Sequence, residues 1–382
     1  MRTLAASLLP LALLACSSPT PAPAADAAPD LAADVVTDVA PDAAPDAAGD
    51  AAGDAAPDTP AGPPHVTWEP VDLPAAGPLG RWGIMIADVG DGTAFVYGGT
   101  TLTAAGGGST SSDLWRFDGR GDAPSFERVA AAGSPPRYCG CVGYLPDSQT
   151  VLMIGGRNPN EAPAETWAMR EGAWSQLAVP TTPPGVIGCA MAWSRERGAL
   201  YLFGGGGMAA GFSSRIWRYD PSAPAWVMLD ATGPRGRYDD ALVPLPDGRT
   251  LLMVAGARGA QAGTGFYNDV WRFDTMAETW QQVTITGEAP PGRRSPWVSV
   301  DADGGGIVVA LGSTGIQAGE VLDDAWHLDL AAGAWARLEP ETLPPARGFS
   351  MALPGRGAVR GYLFGGFDNA RPIRDAWRMR AL

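Results

Sequence analysis

Asp269-Val270-Trp271-Arg272-Phe273-Asp274 repeats, almost letter for letter, an earlier stretch, Asp113-Leu114-Trp115-Arg116-Phe117-Asp118. Both place an acid two residues before a tryptophan, carry three large apolar residues and an arginine, and end on an aspartate. Each reads as the third strand of a repeating unit. The tryptophan recurs as Trp115, Trp167, Trp217, Trp271, Trp326 and Trp377, at intervals of 50 to 55 residues. A second column (Trp174, Trp226, Trp280, Trp335) follows the first by 7 to 9 positions, and Phe126 fills the same slot in the first unit. A period of this length marks a supersecondary unit that buries its apolar face only by stacking on neighbours.

Upstream of each tryptophan runs a continuous apolar strand that ends in glycine, as in Phe95-Val96-Tyr97-Gly98-Gly99, Leu200-Tyr201-Leu202-Phe203-Gly204-Gly205 and Tyr362-Leu363-Phe364-Gly365-Gly366. Two units vary the theme with Ala255-Gly256 and Leu311-Gly312. Each unit opens with a proline-rich turn and an arginine, as in Pro135-Pro136-Arg137 and Pro344-Pro345-Ala346-Arg347. Hairpin turns such as Asp91-Gly92 and Asp247-Gly248 separate the first two strands of a unit. No stretch carries a helical period, so almost no helix is expected.

Four short strands per unit, a double glycine and a paired tryptophan resemble the kelch repeat. The resemblance covers residues 65–382 in six copies and implies an all-β, six-bladed β-propeller with four strands per blade. The sixth unit ends five residues past Trp377, without room for a fourth strand. Val66-Thr67-Trp68-Glu69-Pro70 has the fourth-strand pattern but precedes the first unit. It is therefore expected to complete the last blade and close the ring, removing open sheet edges.

Ahead of the propeller lie two segments of other character. Met1 and Arg2 precede an apolar run over residues 4–15, too short for a spanning helix of ~20 residues. The run reads as a secretory signal. Its end, Leu13-Leu14-Ala15-Cys16, resembles the lipobox of bacterial lipoproteins, which implies lipidation of Cys16. Ser17 after it resembles the outer-membrane sorting rule, so the expected address is the cell envelope, anchored to the outer membrane. Residues 17–64 are almost all Ala, Pro, Asp and Gly, with nine aspartates spaced by four from Asp26 to Asp58. Helical stacking of those charges is unfavourable and the prolines block it, so a disordered tether is expected. Its 48 residues would span roughly 35–40 Å root-mean-square.

The net charge is −14 and all 27 basic residues are arginine. The tether's nine aspartates and Arg2 carry −8 of this, leaving −6 on residues 65–382. No basic cluster exists, so nucleic acid is not an expected partner. The absence of lysine rules out lysine Schiff-base chemistry. No Cys/His or His-Glu-x-x-His zinc spacing occurs, and no metal or cofactor is implied. Galactose oxidase, a kelch-type enzyme, uses two histidines for copper; the only histidines here are His65 and His327, both read as surface residues. Asp301-Ala302-Asp303-Gly304 aligns with the hairpin turns and reads as one of them.

Five arginines, Arg81, Arg137, Arg237, Arg294 and Arg347, start first strands and would ring one mouth of the channel. Guanidinium groups present planar donors to carboxylate or phosphate, so this ring is the candidate anion-binding site. The acids before the third-strand tryptophans (Asp113, Glu165, Asp269, Asp324, Asp375) offer a competing, structural pairing. Blade three has Arg215 at the acid position and Gly185 at the arginine position, and this joint loss favours pairing. Loops 100–112, 157–164, 206–214, 257–268, 313–323 and 367–374 open at the same end. Cys139, Cys141 and Cys189 fall on first strands, and in an oxidising envelope Cys189 with Cys139 or Cys141 is the pair a disulfide would join. The expected function is a monomeric, lipid-anchored binding module for a protein or glycan. The alternative is a carbohydrate-active enzyme, resembling sialic-acid epimerases at repeat level, that uses channel-mouth carboxylates and arginines.

Overall fold

A computed structural model describes residues 64–381, apart from 73, 75, 103–107, 122, 159–160, 185, 208–210, 260–264, 316, 318 and 369–370. The leader ending at Cys16, and all of the tether except Pro64, lie outside the described residues.

The described residues form six antiparallel blade sheets and one small two-stranded sheet, and contain no helix. Blade one comprises Met85–Asp88, Thr93–Tyr97, Leu114–Asp118 and Ser125–Val129; blade two comprises Cys141–Leu145, Thr150–Ile154, Thr166–Arg170 and Ala173–Gln176. Blade three runs Ile187–Ser194, Ala199–Gly207, Ile216–Asp220 and Ala225–Met228. Blade four follows with Ala241–Pro244, Thr250–Val254, Val270–Asp274 and Thr279–Gln282. Blade five holds Trp297–Val300, Gly306–Ala310, Ala325–Asp329 and Ala334–Leu338. Blade six takes Met351–Pro354, Val359–Phe364 and Ala376–Ala381, and its outer strand is Val66–Pro70. That outer strand pairs from Val66 opposite Ala381 to Pro70 opposite Trp377, so the N-terminal strand fastens the ring as expected.

Six apolar clusters lie between the blades, one at each junction. Blades one and two share the cluster around Val142, Met153 and Trp174. The others join two with three, three with four, four with five, five with six, and six with one. The fourth-strand aromatic of each blade packs back toward the preceding blade. Trp226 does so between blades two and three, Trp335 between four and five, Trp68 between five and six, and Phe126 between six and one. The third-strand tryptophans border the same clusters, which is the physical reason for both columns. A blade without these rings would lose its junction, since aromatic side chains supply much of the apolar area buried there.

The double glycines do a different job. Gly98 and Gly99 have φ of 69° and 82°, in the left-handed region. The N–H of Gly99 donates to Arg137 O at 3.0 Å, linking blade one to the start of blade two. A Cβ on Gly98 would stand 2.2 Å from that same carbonyl oxygen, so only glycine fits. Gly156, Gly205, Gly256 and Gly312 repeat the donation to Val186, Arg237, Arg293 and Arg347.

Candidate functional site

This interblade register corrects two sequence readings. The arginine position of blade five is Arg293, not Arg294, and that of blade three is Val186; Gly185 lies outside the described residues. Arg293 donates through both terminal nitrogens to the Asp324 carboxylate at 2.6 and 2.8 Å. Arg294 instead donates to the Tyr238 hydroxyl at 3.0 Å and packs on the Phe349 ring, 4.9 Å from its centroid.

The other predicted arginines occupy one repeating device. Arg237 donates to both oxygens of Asp269 at 2.5 and 2.9 Å, to Ala255 O at 2.8 Å and to Arg235 O at 3.0 Å. Arg347 makes the same pattern with Asp375, Gly365 O and Pro345 O. Arg81 does so with Asp113 and Gly98 O, and Arg137 meets Glu165 at 2.8 Å. The acid has a second donor that the sequence pattern did not disclose. Trp167, Trp271, Trp326 and Trp377 donate their indole Nε1–H to Glu165, Asp269, Asp324 and Asp375 at 2.8–2.9 Å. The acid two residues before the tryptophan thus clamps arginine and indole together.

An anion funnel is therefore not formed. The Arg237, Arg293 and Arg347 side chains are at most 1% exposed, and the nearest to open is Arg81 at 17%. A guanidinium has five N–H donors, and four are spent in the Arg237 pattern. Burial raises the Asp113 pKa, but hydrogen bonds from Arg81 and Ser111 outweigh it and bring the carboxyl to about 2. Asp375 is lowered in the same way, Arg347 outweighing burial.

What stays exposed at this end is different. Arg215, at the acid position of blade three, is exposed, and so are Arg258 in the blade-four loop and Arg374 beside Asp375. Short hairpins rise there, Thr100–Leu102 against Gly108–Thr110, and Gly206-Gly207 against Gly211–Phe212.

Two residues past the arginine position, the first strand turns inward through a left-handed residue. Cys139, Asp239, Ser295 and Phe349 adopt φ of 48–55° there, and glycine serves at Gly83 and Gly188. Their backbones join around the channel: Cys139 N–H donates to Gly83 O, Gly188 to Cys139, Asp239 to Gly188 and Ser295 to Asp239, all at 2.7–2.8 Å. The first strands approach closely enough for a disulfide between Cys141 and Cys189, with Cα atoms 5.8 Å apart.

Blade four brings two carboxylates to this ring, Asp239 and Asp240, which sequence reading passed over. The Asp239 side chain is 9% exposed, with Oδ2 3.9 Å from Arg294 Nη1. Neither Asp240 oxygen, nor Oδ2 of Asp239, has a hydrogen-bond partner, and all three are shielded from solvent. Burial pushes Asp239 up to about 7 against the pull of Arg294. It pushes Asp240 up to about 8 against Arg237, with Asp239 and Asp269 adding to the rise.

The folded chain thus holds protons that the unfolded chain has released above its usual carboxylate range near ~4. Stability is expected to fall as pH rises from about 4 to 8, because the unfolded state binds fewer protons over that window. The lowered pair partners Asp113 and Asp375 act in the opposite sense, their contribution lost as pH drops below ~4. Thermal melts should therefore peak on the acid side of neutrality. Asp240→Asn should flatten the decline toward pH 8; a profile unchanged by that substitution would refute the assignment.

His327 is not a surface residue. Its Nε2 lies 2.8 Å from Asp301 Oδ2 with only 12% of the side chain exposed, and Arg360 takes the other oxygen of Asp301 at 2.6 Å. Residues 301–305 do form the hairpin turn between the first two strands of blade five.

The pattern of the KLHDC2/KLHL20/DRC7 Kelch-repeats domain matches residues 148–366. Among curated proteins, Kelch domain-containing protein 3 of Bos taurus is 27% identical over 234 residues, covering 57% of this chain and 59% of its own length. Adagio-like protein 1 of Oryza sativa subsp. japonica is 26% identical over 291 residues, 69% of this chain and 44% of its own length. The chain thus spans about half the length of these relatives.

Proposed function

Because this chain belongs to the kelch-repeat family, we propose that it is a binding module whose loop-bearing end docks a protein partner. Kelch propellers generally serve as protein-interaction modules. The observation that carries the reading is the division of labour among the arginines. The framework guanidinium groups are buried and spent on their acids, while Arg215, Arg258 and Arg374 remain exposed among the loops. Binding groups on loops above a rigid scaffold are the usual arrangement. Exposed arginine favours a partner that offers carboxylates, recognised by paired N–H donors.

The carbohydrate-active alternative required carboxylates free beside the arginines. Glu165 and Asp324 are instead clamped by Arg137 and Arg293 and by their own tryptophans. A glycan ligand on the loop face keeps its place as a second class of partner.

We further propose that the head is tethered to a membrane through lipidated Cys16, in the envelope of a diderm bacterium. Support comes from the Leu13-Leu14-Ala15-Cys16 motif and from the acidic, proline-interrupted segment that follows. One fractionation experiment tests both proposals, comparing wild type, Cys16→Ser and the triple variant Arg215→Glu/Arg258→Glu/Arg374→Glu. The wild type should sediment with membranes and retain a partner on pull-down. Cys16→Ser should move to the soluble fraction with binding intact. The triple variant should stay on the membrane and lose its partner at least tenfold. Retention of the partner by the folded triple variant would sink the loop-face assignment, and a membrane-bound Cys16→Ser would sink the anchor.

A further inference from the structure

The outer strand of blade three, Ala225-Trp226-Val227-Met228, is an edge without protection. It has no polar side chain, whereas the other five outer strands carry Arg128, Gln176, Gln282, Arg337 and Glu69. Charged residues on an edge strand normally discourage pairing with another chain. Met228 is 48% exposed and Val227 42%, and the only other large hydrophobic so open among the described residues is Met276, 46% exposed on a blade-four turn. Cover is missing as well. The chain entering blade two bridges that blade's outer strand at Ala173 through Ala132, and Thr286 does the same for blade five at Ala334. Among the described residues, nothing bridges the outer strand of blade three in this way.

Backbone groups face outward there. Leu229 N–H donates to Ile216 O at 3.0 Å. Antiparallel alternation then turns the Val227 backbone toward its partner strand and leaves the N–H and C=O of Trp226 and Met228 pointing away from the sheet. The two apolar side chains lie on opposite faces of the blade, Met228 beside Trp217 and Val227 beside Arg218. The flanking charges balance: Arg218 is paired with Glu278, and Arg215 stands opposite Asp230 as the register continues. We propose that this rim takes an extended, uncharged segment of a protein partner as an added outer strand, bonded to Trp226 and Met228, with apolar side chains over Val227 and Met228.

Strand addition draws its affinity from main-chain hydrogen bonds and its selectivity from side chains at alternate positions. Here both faces favour apolar side chains, and the balanced flanks give a charged segment no counterpart. A second copy of the chain fits the rim poorly. Two rigid propellers meeting edge to edge would share only a four-residue ladder, about 13 Å long, well short of the roughly 1,200 Å² of a stable interface. Each copy also carries a net charge of −14, which opposes close approach. A flexible segment escapes both limits, since it can fold over both faces of the strand and bring little charge. This rim is distinct from the loop face, and neither reading depends on the other.

The test uses the full chain and a blocked octapeptide of alternating threonine and valine, N-methylated at each threonine so that only one of its edges can pair. Saturable binding is expected, with amide exchange at Trp226 and Met228 slowed at least tenfold and exchange in the loops unchanged. A peptide N-methylated throughout should not bind. Val227→Lys/Met228→Lys alters two exposed side chains, so the melting transition should persist while binding weakens at least tenfold. The exchange pattern of the wild type decides the matter even where that variant fails to fold. No peptide binding, protection elsewhere, equal binding of the fully methylated peptide, or undiminished binding by the folded double variant would each overturn the proposal. So would a wild-type dimer in sedimentation that the double variant abolishes, because a second copy would then occupy the rim.

Discussion

A chain lacking residues 65–72 is expected not to assemble a stable propeller. Those residues supply the outer strand of blade six, whose five-residue ladder with Ala376–Ala381 closes the ring. Trp68 is 1% exposed and meets Trp297 edge-on, with ring centroids 4.9 Å apart, in the cluster that joins blades five and six. Truncating a buried tryptophan to alanine costs about 3–5 kcal/mol, a large share of the ~5–15 kcal/mol that holds a domain folded. Deletion also removes Val66 from that cluster and the backbone partner of the last strand, leaving an open edge disposed to aggregate. The Glu69 contacts to Arg378 and Arg380 add little, because that pair is partly exposed and screened by solvent. The deletion is expected to yield aggregate or a chain with no cooperative melt, and Trp68→Ala a folded protein melting well below wild type. A deletion variant with the wild-type melting curve and a monomeric elution would mean that the ring closes elsewhere.

The sequence disclosed the blade count and the closing strand because both depend on features spaced along one chain. Two tryptophan columns recur at the blade period, and Trp68 is the member that falls out of order. The arginine–acid pairing was legible for a similar reason, through its joint absence from blade three. Its register was not. Pro290-Pro291-Gly292-Arg293-Arg294 offers two adjacent arginines, and composition does not say which one precedes the left-handed turn at Ser295. The backbone hydrogen bond from Gly256 to Arg293 O decides it. Gly185 was set at the arginine position for want of the same information. His327 read as exposed because its partner Asp301 lies 26 residues away on the neighbouring strand's turn. A cavity inside the channel was out of reach altogether. Its wall draws one to three residues from each of the six blades, and no local pattern marks the Asp240 carboxylate as buried.

Asp269→Ala is expected to destabilise the propeller by about 3–5 kcal/mol, the usual cost of stripping one partner from a buried ion pair. Arg237 is 0% exposed, so its charge cannot recover water when the carboxylate goes. The Trp271 indole loses its acceptor in the same step, and the Tyr267 ring, 4.2 Å from the guanidinium carbon, compensates only in part. Asp274→Ala supplies the comparison in the same blade. Its partner Arg249 is 50% exposed, and an exposed pair contributes about 0–1 kcal/mol. Arg237→Met with Asp269→Ala together should recover much of the loss, because no unpaired charge then remains buried. Blade three supports that expectation: with Val186 and Arg215 at the two positions, it folds without the buried pair. Denaturant unfolding of the four proteins gives the ranking directly. A cost for Asp269→Ala no larger than that for Asp274→Ala would show that the clamp contributes little to the fold. The buried arginines would then need a role other than structure, which would reopen the channel mouth as an anion site.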